Sequence, residues 1–369
     1  MRRLTVVQLL PALQAGGVER SCIEIAAALV QAGHRAIVVS AGGRLQPALE
    51  ALGAQHVRLA IGSKSPWTLR HLPALRRLFA DADIVHARSR LPAWLGWLAL
   101  RGMPASRRPR FVTTVHGLNS PSRYSAIMAR GEQVVCVSNT VRAHVLRHYP
   151  RADPARLRVI PRGIDPLAFP ATPWPDRAAR AQVAQRFPQL GGRGPLLLLP
   201  GRGSRLKGHA DAITLLARLR ADGLDARLWM PGARQPGRAG YAAELERVAA
   251  TAGVGDAVVP GEATDAIAGA YAACDLVLQL SRRPEAFGRT VIEALAVGRP
   301  VLGWAHGGVG ELLAELQPEG AVDAFDAAAL ALRAQALLAR PPSRLPASPY
   351  TLHAMQQATL SLYQSMVDA

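Results

Sequence analysis

Lysine is nearly absent from this sequence, since Lys64 and Lys207 are the only two among 369 residues. Acidic residues are also few. The 26 Asp and Glu oppose 44 Lys and Arg, which leaves a formal net charge of +18 carried almost wholly by arginine. A field of that sign favours anionic partners. No low-complexity block is present and 49% of the residues are hydrophobic, which excludes a fibrous or disordered protein.

Cysteine and long apolar runs are scarce as well. The three cysteines, Cys22, Cys136 and Cys274, are far apart and form no CxxC pair, so we expect buried thiols in a reducing compartment. The best apolar run, residues 91–100, is about half of the roughly 18 residues that a membrane span needs. The start of the chain lacks the unbroken apolar core of a secretory signal. These absences predict a cytoplasmic protein that contacts a membrane only through its surface.

Apolar strands alternate with helical segments along most of the chain. Runs that are apolar throughout predict parallel sheets covered by helices on both faces. The length exceeds what one core usually organises, and five prolines interrupt the alternation between residues 161 and 175. We therefore predict an α/β protein of two tandem Rossmann-like, doubly wound domains with a cleft between them. The predicted parts are the first domain at 1–165, a linker at 166–176, the second domain at 177–349, and a closing helix at 350–369 that packs on the first domain.

Two glycine-containing loops lie where parallel sheets bind ligands, at the carboxyl ends of strands. Gly16 and Gly17 directly precede the first helix, where glycine lets a ligand approach the backbone and the free helix amides donate hydrogen bonds to an anion. The stretch 201–208 follows a later strand and contains Arg202 and Lys207. Cations at that place suit a diphosphate, and the rare lysine supplies a compact point charge. A solvated basic turn is the structural alternative.

A third loop, residues 284–293, contains two carboxylates eight residues apart. If a helix begins near Gly288, Glu285 lies in the loop and Glu293 in the second helical turn. Carboxylates accept hydrogen bonds from hydroxyl groups, and a helix N-terminus attracts phosphate. A sugar attached to a diphosphate fits that combination. Two solvated glutamates around a helix start are the alternative.

Other chemistries find little support in the sequence. The DxD pair Asp81 and Asp83 precedes a strand and so lies at the wrong end of the sheet for a ligand. The ten histidines form no HExxH motif, and no GxSxG elbow is present. We predict no metal and no cofactor. A basic nucleic-acid-binding protein is the non-enzymatic alternative, but the chain has no helix-turn-helix, RNP or KH pattern, and we expect no nucleic-acid partner.

The ordered set of motifs resembles the retaining glycosyltransferases of family four, which have the GT-B fold. The motifs are, in chain order, Gly16-Gly17-Val18-Glu19-Arg20, Val115-His116-Gly117, Val159-Ile160-Pro161-Arg162-Gly163-Ile164-Asp165, Gly201-Arg202 with Lys207-Gly208, and Glu285 with Glu293. The resemblance covers nearly the whole chain. Within the family, residues 83–90 and 128–131 resemble bacterial enzymes of lipopolysaccharide core assembly.

The resemblance implies roles for the residues at matching positions. Glu285 and His116 are the implied catalytic residues, with Glu285 on the transferred sugar and His116 beside it. Glu293 would bind the ribose hydroxyl groups. The rest of the implied donor-binding set surrounds the diphosphate with cations, backbone amides and small residues: Gly16, Gly17, Arg202, Lys207, Phe287, Gly288, Arg289 and Thr290. The family often has Asn in its Ile-Pro-x-Gly turn, where this chain has Arg162, and the role of that position stays open.

The implied reaction is a metal-independent transfer of a hexose with retained configuration. The donor is a nucleotide diphosphate sugar, with UDP as the expected nucleotide, and the acceptor is a saccharide of the lipopolysaccharide core or another cell-envelope glycan. Front-face attack would retain the configuration, with the leaving phosphate oxygen taking the proton of the acceptor. A nucleotide-sugar epimerase of similar shape is the alternative enzyme.

Arginine and tryptophan concentrate between residues 67 and 110. Aromatic rings beside cations suit an anionic lipid surface, so we expect this Arg/Trp surface to contact the inner face of the cytoplasmic membrane. In the alternative, the tryptophans pack a helix on the sheet and the arginines are solvated. The residues concerned are Arg70, Arg76, Arg77, Arg88, Arg90, Arg101, Arg107, Arg108, Arg110, Trp67, Trp94, Trp97 and Leu98.

Overall fold

The chain divides into two compact units, each built on a parallel sheet. One unit comprises Met1–Arg162 with Leu352–Ala369, and the other comprises Gly163–Thr351. The predicted α/β class with two doubly wound domains is confirmed. The computed structural model describes residues 2–14, 16–237, 239–340 and 348–368, so part of the predicted second domain, 341–347, lies outside the described residues.

The sheet of the first unit has seven parallel strands in its described residues. They are β1 (Thr5–Leu9), β2 (Arg35–Ser40), β3 (Gln55–Arg58), β4 (Ile84–Ala87), β5 (Arg110–Val115), β6 (Gln133–Cys136) and β7 (Leu157–Val159). Their order is β3-β2-β1-β4-β5-β6-β7, with Val7 of β1 opposite Ile37 of β2 and Val85 of β4. The strand order therefore reverses between β1 and β4.

Helices cover this sheet, and the last helix of the chain belongs to the same unit. The helices are α1 (Gly17–Gln31), α2 (Gln46–Ala51), α3 (Leu72–Phe79), α4 (Arg90–Arg101), α5 (Asn139–His148) and the C-terminal helix (Leu352–Asp368). The C-terminal helix places Tyr363 in the core, where its Oη lies 2.6 Å from Nδ1 of His86 on β4. It also contacts α1, because Nε2 of Gln356 donates to the carbonyl oxygen of Glu24 at 2.8 Å.

The second unit repeats the design with six parallel strands among the described residues. They are β8 (Leu196–Leu198), β9 (Arg227–Pro231), β10 (Val258–Gly261), β11 (Leu276–Gln279), β12 (Val301–Trp304) and β13 (Ala321–Val322). Their order is β10-β9-β8-β11-β12-β13, so the reversal lies between β8 and β11. The helices are α6 (Arg177–Arg186), α7 (His209–Ala221), α8 (Ala239–Thr251), α9 (Ile267–Ala273), α10 (Arg289–Val297), α11 (Gly307–Leu316) and α12 (Ala327–Ala339).

The proline-rich segment for which the sequence predicts a linker packs on the second unit. Arg299 is fully buried there and donates to the carbonyl oxygens of Pro173, at 2.7 Å, and Thr172, at 3.3 Å. The indole of Trp174 donates to the carbonyl oxygen of Asp275 at 3.0 Å. A guanidinium has five N–H donors and no acceptor, so the buried Arg299 side chain can hold carbonyl oxygens of this segment. The prolines of the segment have no backbone N–H group and cannot donate to the regular hydrogen-bond ladders of helices or sheets.

The three cysteines are unpaired and buried, as predicted. Burial raises the pKa of the Cys22 thiol to about 11 and the pKa values of Cys136 and Cys274 to about 12. All three are therefore protonated and poorly nucleophilic at neutral pH. In the parts of the chain that the structure describes, no helix combines the length and hydropathy required to cross a membrane.

Candidate functional site

Two sequence-predicted residues meet at the carboxyl edge of the second unit's sheet. Strand order reverses there between β8 and β11, and such a reversal opens the crevice in which doubly wound sheets bind ligands. Lys207 lies in the loop after β8 and Glu285 in the loop after β11. The Nζ atom of Lys207 is 2.5 Å from Oε1 of Glu285. The sequence predicts both as ligand-binding residues, and the fold places them in direct contact.

Glu285 is held in place from both sides of its carboxylate. Ser281 Oγ and Lys207 Nζ donate to Oε1, while Gln279 Nε2 donates to Oε2 at 3.3 Å. The backbone is fixed as well, because the amide of Gly308, in the first turn of α11, donates to the Glu285 carbonyl oxygen at 2.8 Å. About a quarter of each partner of the ion pair stays exposed, 27% for Lys207 and 22% for Glu285. The ammonium and the carboxylate are therefore ordered yet reachable by a ligand.

Gly208 gives the loop after β8 its shape. Its φ of +76° lies in the left-handed region that glycine adopts without strain. A Cβ atom at this position would lie 2.0 Å from the carbonyl oxygen of Leu280, the residue after β11. The glycine thus allows the loops after β8 and β11 to pack backbone against backbone, which brings Lys207 to Glu285.

Glu293 lies almost buried in the second turn of α10, with 8% of its surface exposed. Tyr271 of α9 donates from Oη to Oε2 at 3.0 Å, and Arg289 Nε is 3.3 Å from Oε1. Burial, then the Glu293 charge, raises the pKa of Tyr271 well above its ordinary value. The phenol therefore stays a donor that fixes the carboxylate. Tyr271 was missed by sequence reasoning because it lies in an apolar helix without a motif.

The side chains of Phe287, Arg289 and Thr290, between the two carboxylates, make contacts within the second unit. Phe287 is 6% exposed, and its ring lies edge-on to Tyr350. Gly288 is the N-cap of α10 with a φ of +106°. Arg289 pairs with Glu293, and Thr290 hydrogen-bonds Tyr271. This helix start offers amides and positive dipole character to an anion.

Arg202 differs from these residues because it is exposed. Its guanidinium makes no hydrogen bond or ion pair within the described parts of the chain. The neighbouring backbone is fixed, since the amides of Gly201 and Gly203 donate to the carbonyl oxygens of Pro231, at 3.0 Å, and Gly232, at 2.9 Å. A free cation on an ordered loop is suited to a mobile anionic ligand.

Gly17 marks the equivalent edge of the first unit. It is the first residue of α1 and follows β1, beside the reversal between β1 and β4. A Cβ atom built on Gly17 would have no other described residue within 4 Å, apart from its chain neighbours and the backbone of its own helix. Gly16, the N-cap, has a φ of +154°. The helix start therefore borders open space that a ligand can enter.

His116 follows β5 at the same edge, and Arg162 lies against it. The Nη2 atom of Arg162 contacts Nδ1 of His116, and Nη1 contacts Oγ of Ser21 in α1. Burial, then the charges of Arg162 and Arg88, holds the pKa of His116 well below its ordinary value. His116 is therefore a neutral imidazole. Its Nε2 atom is buried without a hydrogen-bond partner in the described residues.

The residues of the predicted Arg/Trp surface are exposed or partly exposed, with the exception of Arg88. Arg88 is 3% exposed and donates from Nε to Oε1 of Gln8 at 2.7 Å, so its assignment to the surface is wrong. Arg88 directly follows β4, and its side chain extends towards Gln8 of β1 and Ser21 of α1 instead of towards solvent. Trp94 and Trp97 of α4 form an edge-to-face pair at 5.6 Å, with Arg130 5.5 and 5.4 Å from their rings. Trp67 is 76% exposed.

The DxD pair lies at the amino end of β4, at the opposite end of the first unit's sheet from Gly17 and His116. Asp83 Oδ2 accepts from the amide of Thr5 at 2.8 Å and thereby caps the first strand. In residues 2–14, 16–237, 239–340 and 348–368, no three His, Cys, Asp or Glu side chains are grouped so that they could share a metal ion.

Comparison with known proteins finds relatives of both halves of the chain. Residues 15–166 match Glycosyltransferase Family 4, and residues 183–351 match Glycosyl transferases group 1. D-inositol 3-phosphate glycosyltransferase of Stackebrandtia nassauensis is 30% identical over 63% of this chain, and that of Xylanimonas cellulosilytica is 31% identical over 70%. The chain covers 55% and 64% of their respective lengths.

Solved structures with the same fold align over 98% to 100% of this chain. A glycosyltransferase from Rickettsia africae is 27% identical with a TM-score of 0.87, covering 100% of this chain and 99% of its own. HepE of Anabaena, in complex with UDP and glucose, is 20% identical with a TM-score of 0.78, covering 98% and 100%. WaaG, a glycosyltransferase involved in lipopolysaccharide biosynthesis, is 20% identical with a TM-score of 0.67, covering 98% of both chains.

Proposed function

This chain belongs to the family-four glycosyltransferases, and from that premise we propose that it is a metal-independent, retaining hexosyltransferase. The proposed donor is a nucleotide diphosphate sugar with UDP as the nucleotide. The proposed acceptor is a saccharide of the lipopolysaccharide core or another cell-envelope glycan. The observation that carries this proposal is the contact of Lys207 with Glu285 at the strand-order reversal of the second unit.

The chemistry of that contact suits a sugar diphosphate. The Lys207 ammonium and the free Arg202 guanidinium are placed to neutralise the diphosphate, whose negative charge grows as the sugar leaves. In this proposal they take the place of a divalent cation. Glu285 accepts hydrogen bonds from hydroxyl groups of the transferred sugar, and Glu293 does so from the ribose. The anion of the donor and its hydroxyl groups thus each meet a complementary group.

The proposed transfer needs no separate general base, because the leaving group itself takes up the proton of the acceptor. The acceptor hydroxyl oxygen bonds to the anomeric carbon on the face from which the diphosphate leaves, and the bond from that carbon to the phosphate oxygen breaks. The leaving oxygen takes the proton of the acceptor hydroxyl, so the products are the glycoside and the free nucleotide diphosphate. Attack and departure on one face retain the anomeric configuration.

The relatives support the choice of donor and acceptor classes. The HepE structure contains UDP and glucose, and WaaG is involved in lipopolysaccharide biosynthesis. At 20% identity, these two structures are evidence for the fold of this chain only. UDP and a core saccharide are therefore parts of the proposal that the next experiment tests.

Product analysis tests the proposed reaction. Incubation of UDP-glucose, GDP-glucose or ADP-glucose with deacylated core oligosaccharide, in the presence of EDTA, is expected to give an α-linked product from one α-configured donor. A β-linkage would refute retention, and activity that EDTA abolishes and Mg²⁺ restores would refute metal independence. An epimerised nucleotide sugar formed without acceptor would instead identify the epimerase alternative.

The Gly17→Ala variant tests whether the donor phosphate occupies the open space at α1. We expect the donor KM to rise about tenfold, about 1.4 kcal/mol of lost binding, because the new methyl group takes up that space. The free energy of unfolding should stay unchanged or rise by up to about 1 kcal/mol, since alanine is the better helix former. Gly269→Ala in α9 is the control and should leave KM unchanged, because a Cβ atom there also meets no other part of the described chain within 4 Å. An unchanged KM in Gly17→Ala would place the phosphate elsewhere.

We also propose that the Arg/Trp surface, without Arg88, binds the anionic inner leaflet. Co-sedimentation with phosphatidylglycerol-containing vesicles should exceed that with pure phosphatidylcholine and should fall as salt rises. Each exposed arginine near the surface adds about 1 kcal/mol, so Arg107→Glu with Arg108→Glu should reduce binding at least about tenfold. Arg186→Glu with Arg193→Glu changes the net charge equally on the second unit and serves as control. Equal loss in both pairs would attribute binding to net charge alone.

A further inference from the structure

The contact between Arg162 and His116 fixes where the imidazole carries its proton. A guanidinium has five N–H donors and no acceptor. Because Nη2 of Arg162 contacts Nδ1 of His116, Nδ1 must accept with its lone pair. The single proton of the neutral ring is therefore on Nε2. The other tautomer, and the doubly protonated ring, would direct an N–H group at another N–H group.

The surroundings hold this arrangement from several elements. Ser21 Oγ, on α1, accepts from Arg162 and also from Arg88 Nη1 at 3.3 Å. His86 of β4 lies beyond, with its ring nitrogens 2.6 Å from Tyr363 Oη and 2.6 Å from Thr114 Oγ1. The charged or titratable groups that act on His116 are thus two arginines and a neutral histidine, with Tyr363 behind the latter. Each arginine opposes a positive charge on the imidazole.

The consequence is a hydrogen-bond donor without an acceptor. Nε2 of His116 carries the proton, is shielded from solvent, and has no partner in the described residues. A buried donor that is left unpaired costs free energy, about 1 to 3 kcal/mol. An oxygen atom of a bound sugar would relieve that cost. An imidazole in this state can donate to such an oxygen and cannot remove a proton through Nε2.

We infer that Arg162 is a positioning residue that keeps His116 in the neutral Nε2–H tautomer, as a donor to a sugar oxygen. The inference rests on the proposed function for the identity of that ligand, but the tautomer itself is a property of the free protein. It gives a role to the position at which this chain departs from the Asn that its family often has. An Asn amide carries no charge and presents either a donor or an acceptor to Nδ1, so it would permit both tautomers and protonation.

Histidine ¹⁵N spectra of the free protein test the tautomer. We expect the Nδ1 signal of His116, assigned by its loss in His116→Gln, in the unprotonated range and the Nε2 signal in the protonated range from pH 5 to pH 8. In Arg162→Asn the pKa of the ring should rise, because one opposing charge is gone, while burial and Arg88 still hold it below its ordinary value. Above that pKa the neutral ring should be a mixture of both tautomers. Arg158→Asn replaces an exposed arginine on β7 and should leave the spectrum unchanged. A proton on Nδ1 in the wild type, or no change in Arg162→Asn, would overturn the inference.

The pH dependence of kcat/KM is a second test, because it would not change if Arg162 had a purely structural role. The pH profile of kcat/KM in Arg162→Asn should gain an acidic limb, with activity about tenfold below its plateau one pH unit under the raised pKa of His116. Arg162→Lys, which keeps the charge and a donor, should keep the limb absent even if its plateau is lower. An acidic limb in both variants, or in neither, would contradict positioning by Arg162. Absence of any transfer activity would refute the proposed function and leave the spectral test intact.

Discussion

Replacing Glu285 with alanine is expected to lower kcat by about 10- to 150-fold while the donor KM changes little. The loss corresponds to about 1.5 to 3 kcal/mol, the range for hydrogen bonds to a charged group. Glu285 is assigned to the sugar that moves, so its contacts act in the transition state. Its removal also releases Lys207, now paired with it at 2.5 Å, for the diphosphate. We therefore expect the affinity for the donor to stay unchanged.

Replacing Glu293 with alanine should give the opposite pattern, with a donor KM raised by a similar factor and a smaller change in kcat. Its carboxylate is assigned to the ribose, which contributes equally to ground-state and transition-state binding. Steady-state kinetics with the donor varied separate the two outcomes. Glu319→Ala, at an exposed turn of the second unit, should leave both constants unchanged. If both Glu285→Ala and Glu293→Ala retained wild-type kinetics, the assignment of the site would be wrong.

Gly208→Ala is expected to lower the free energy of unfolding of the second unit by about 3 kcal/mol or more. The left-handed conformation costs an L-residue about 1 to 2 kcal/mol. The new Cβ atom would also lie 2.0 Å from the Leu280 carbonyl oxygen, so the loop after β8 must move. That movement separates Lys207 from Glu285, and transfer activity should fall with stability.

The Gly223→Ala variant separates the cost of the left-handed conformation from the cost of the steric clash. Gly223 has a φ of +88°, yet among the described residues a Cβ atom there would have none within 4 Å beyond its chain neighbours. We expect it to cost only the conformational 1 to 2 kcal/mol, roughly, with activity intact. Urea unfolding and activity assays on both variants make the comparison. Equal losses of stability, or full activity in Gly208→Ala, would show that the two loops do not depend on their close backbone contact.

The sequence was sufficient to predict the two parallel-sheet units and the place of Lys207 and Glu285 after strands of the second one. Strand runs that are apolar throughout require two covered faces, and that pattern predicted both sheets. Ligands bind where strand order reverses, so loops rich in glycine and charge could be selected before any contact was known. The contact between Lys207 and Glu285 follows from β8 and β11 being neighbours.

Other residues of the site could not be predicted, because their roles depend on tertiary contacts. Tyr271 resembles any apolar helix residue until Glu293 lies beside it. Arg88 looks like a surface arginine, yet Gln8 and Ser21 draw its guanidinium under the sheet edge. Arg162 contacts Ser21, 141 residues earlier in the chain, and no local pattern reveals such a pairing.

Nucleotide-induced thermal stabilisation tests the central claim, that the second unit binds the diphosphate nucleotide of a sugar donor, most directly. A ligand that binds only the folded protein raises its stability by about 2.7 kcal/mol at a concentration 100 times its Kd. We expect UDP to raise the unfolding temperature of the wild type, with smaller shifts for GDP and ADP, and the UDP shift to be much reduced in Lys207→Ala and Glu293→Ala. A UDP shift of full size in both variants, or no shift with any of the three nucleotides, would contradict the account.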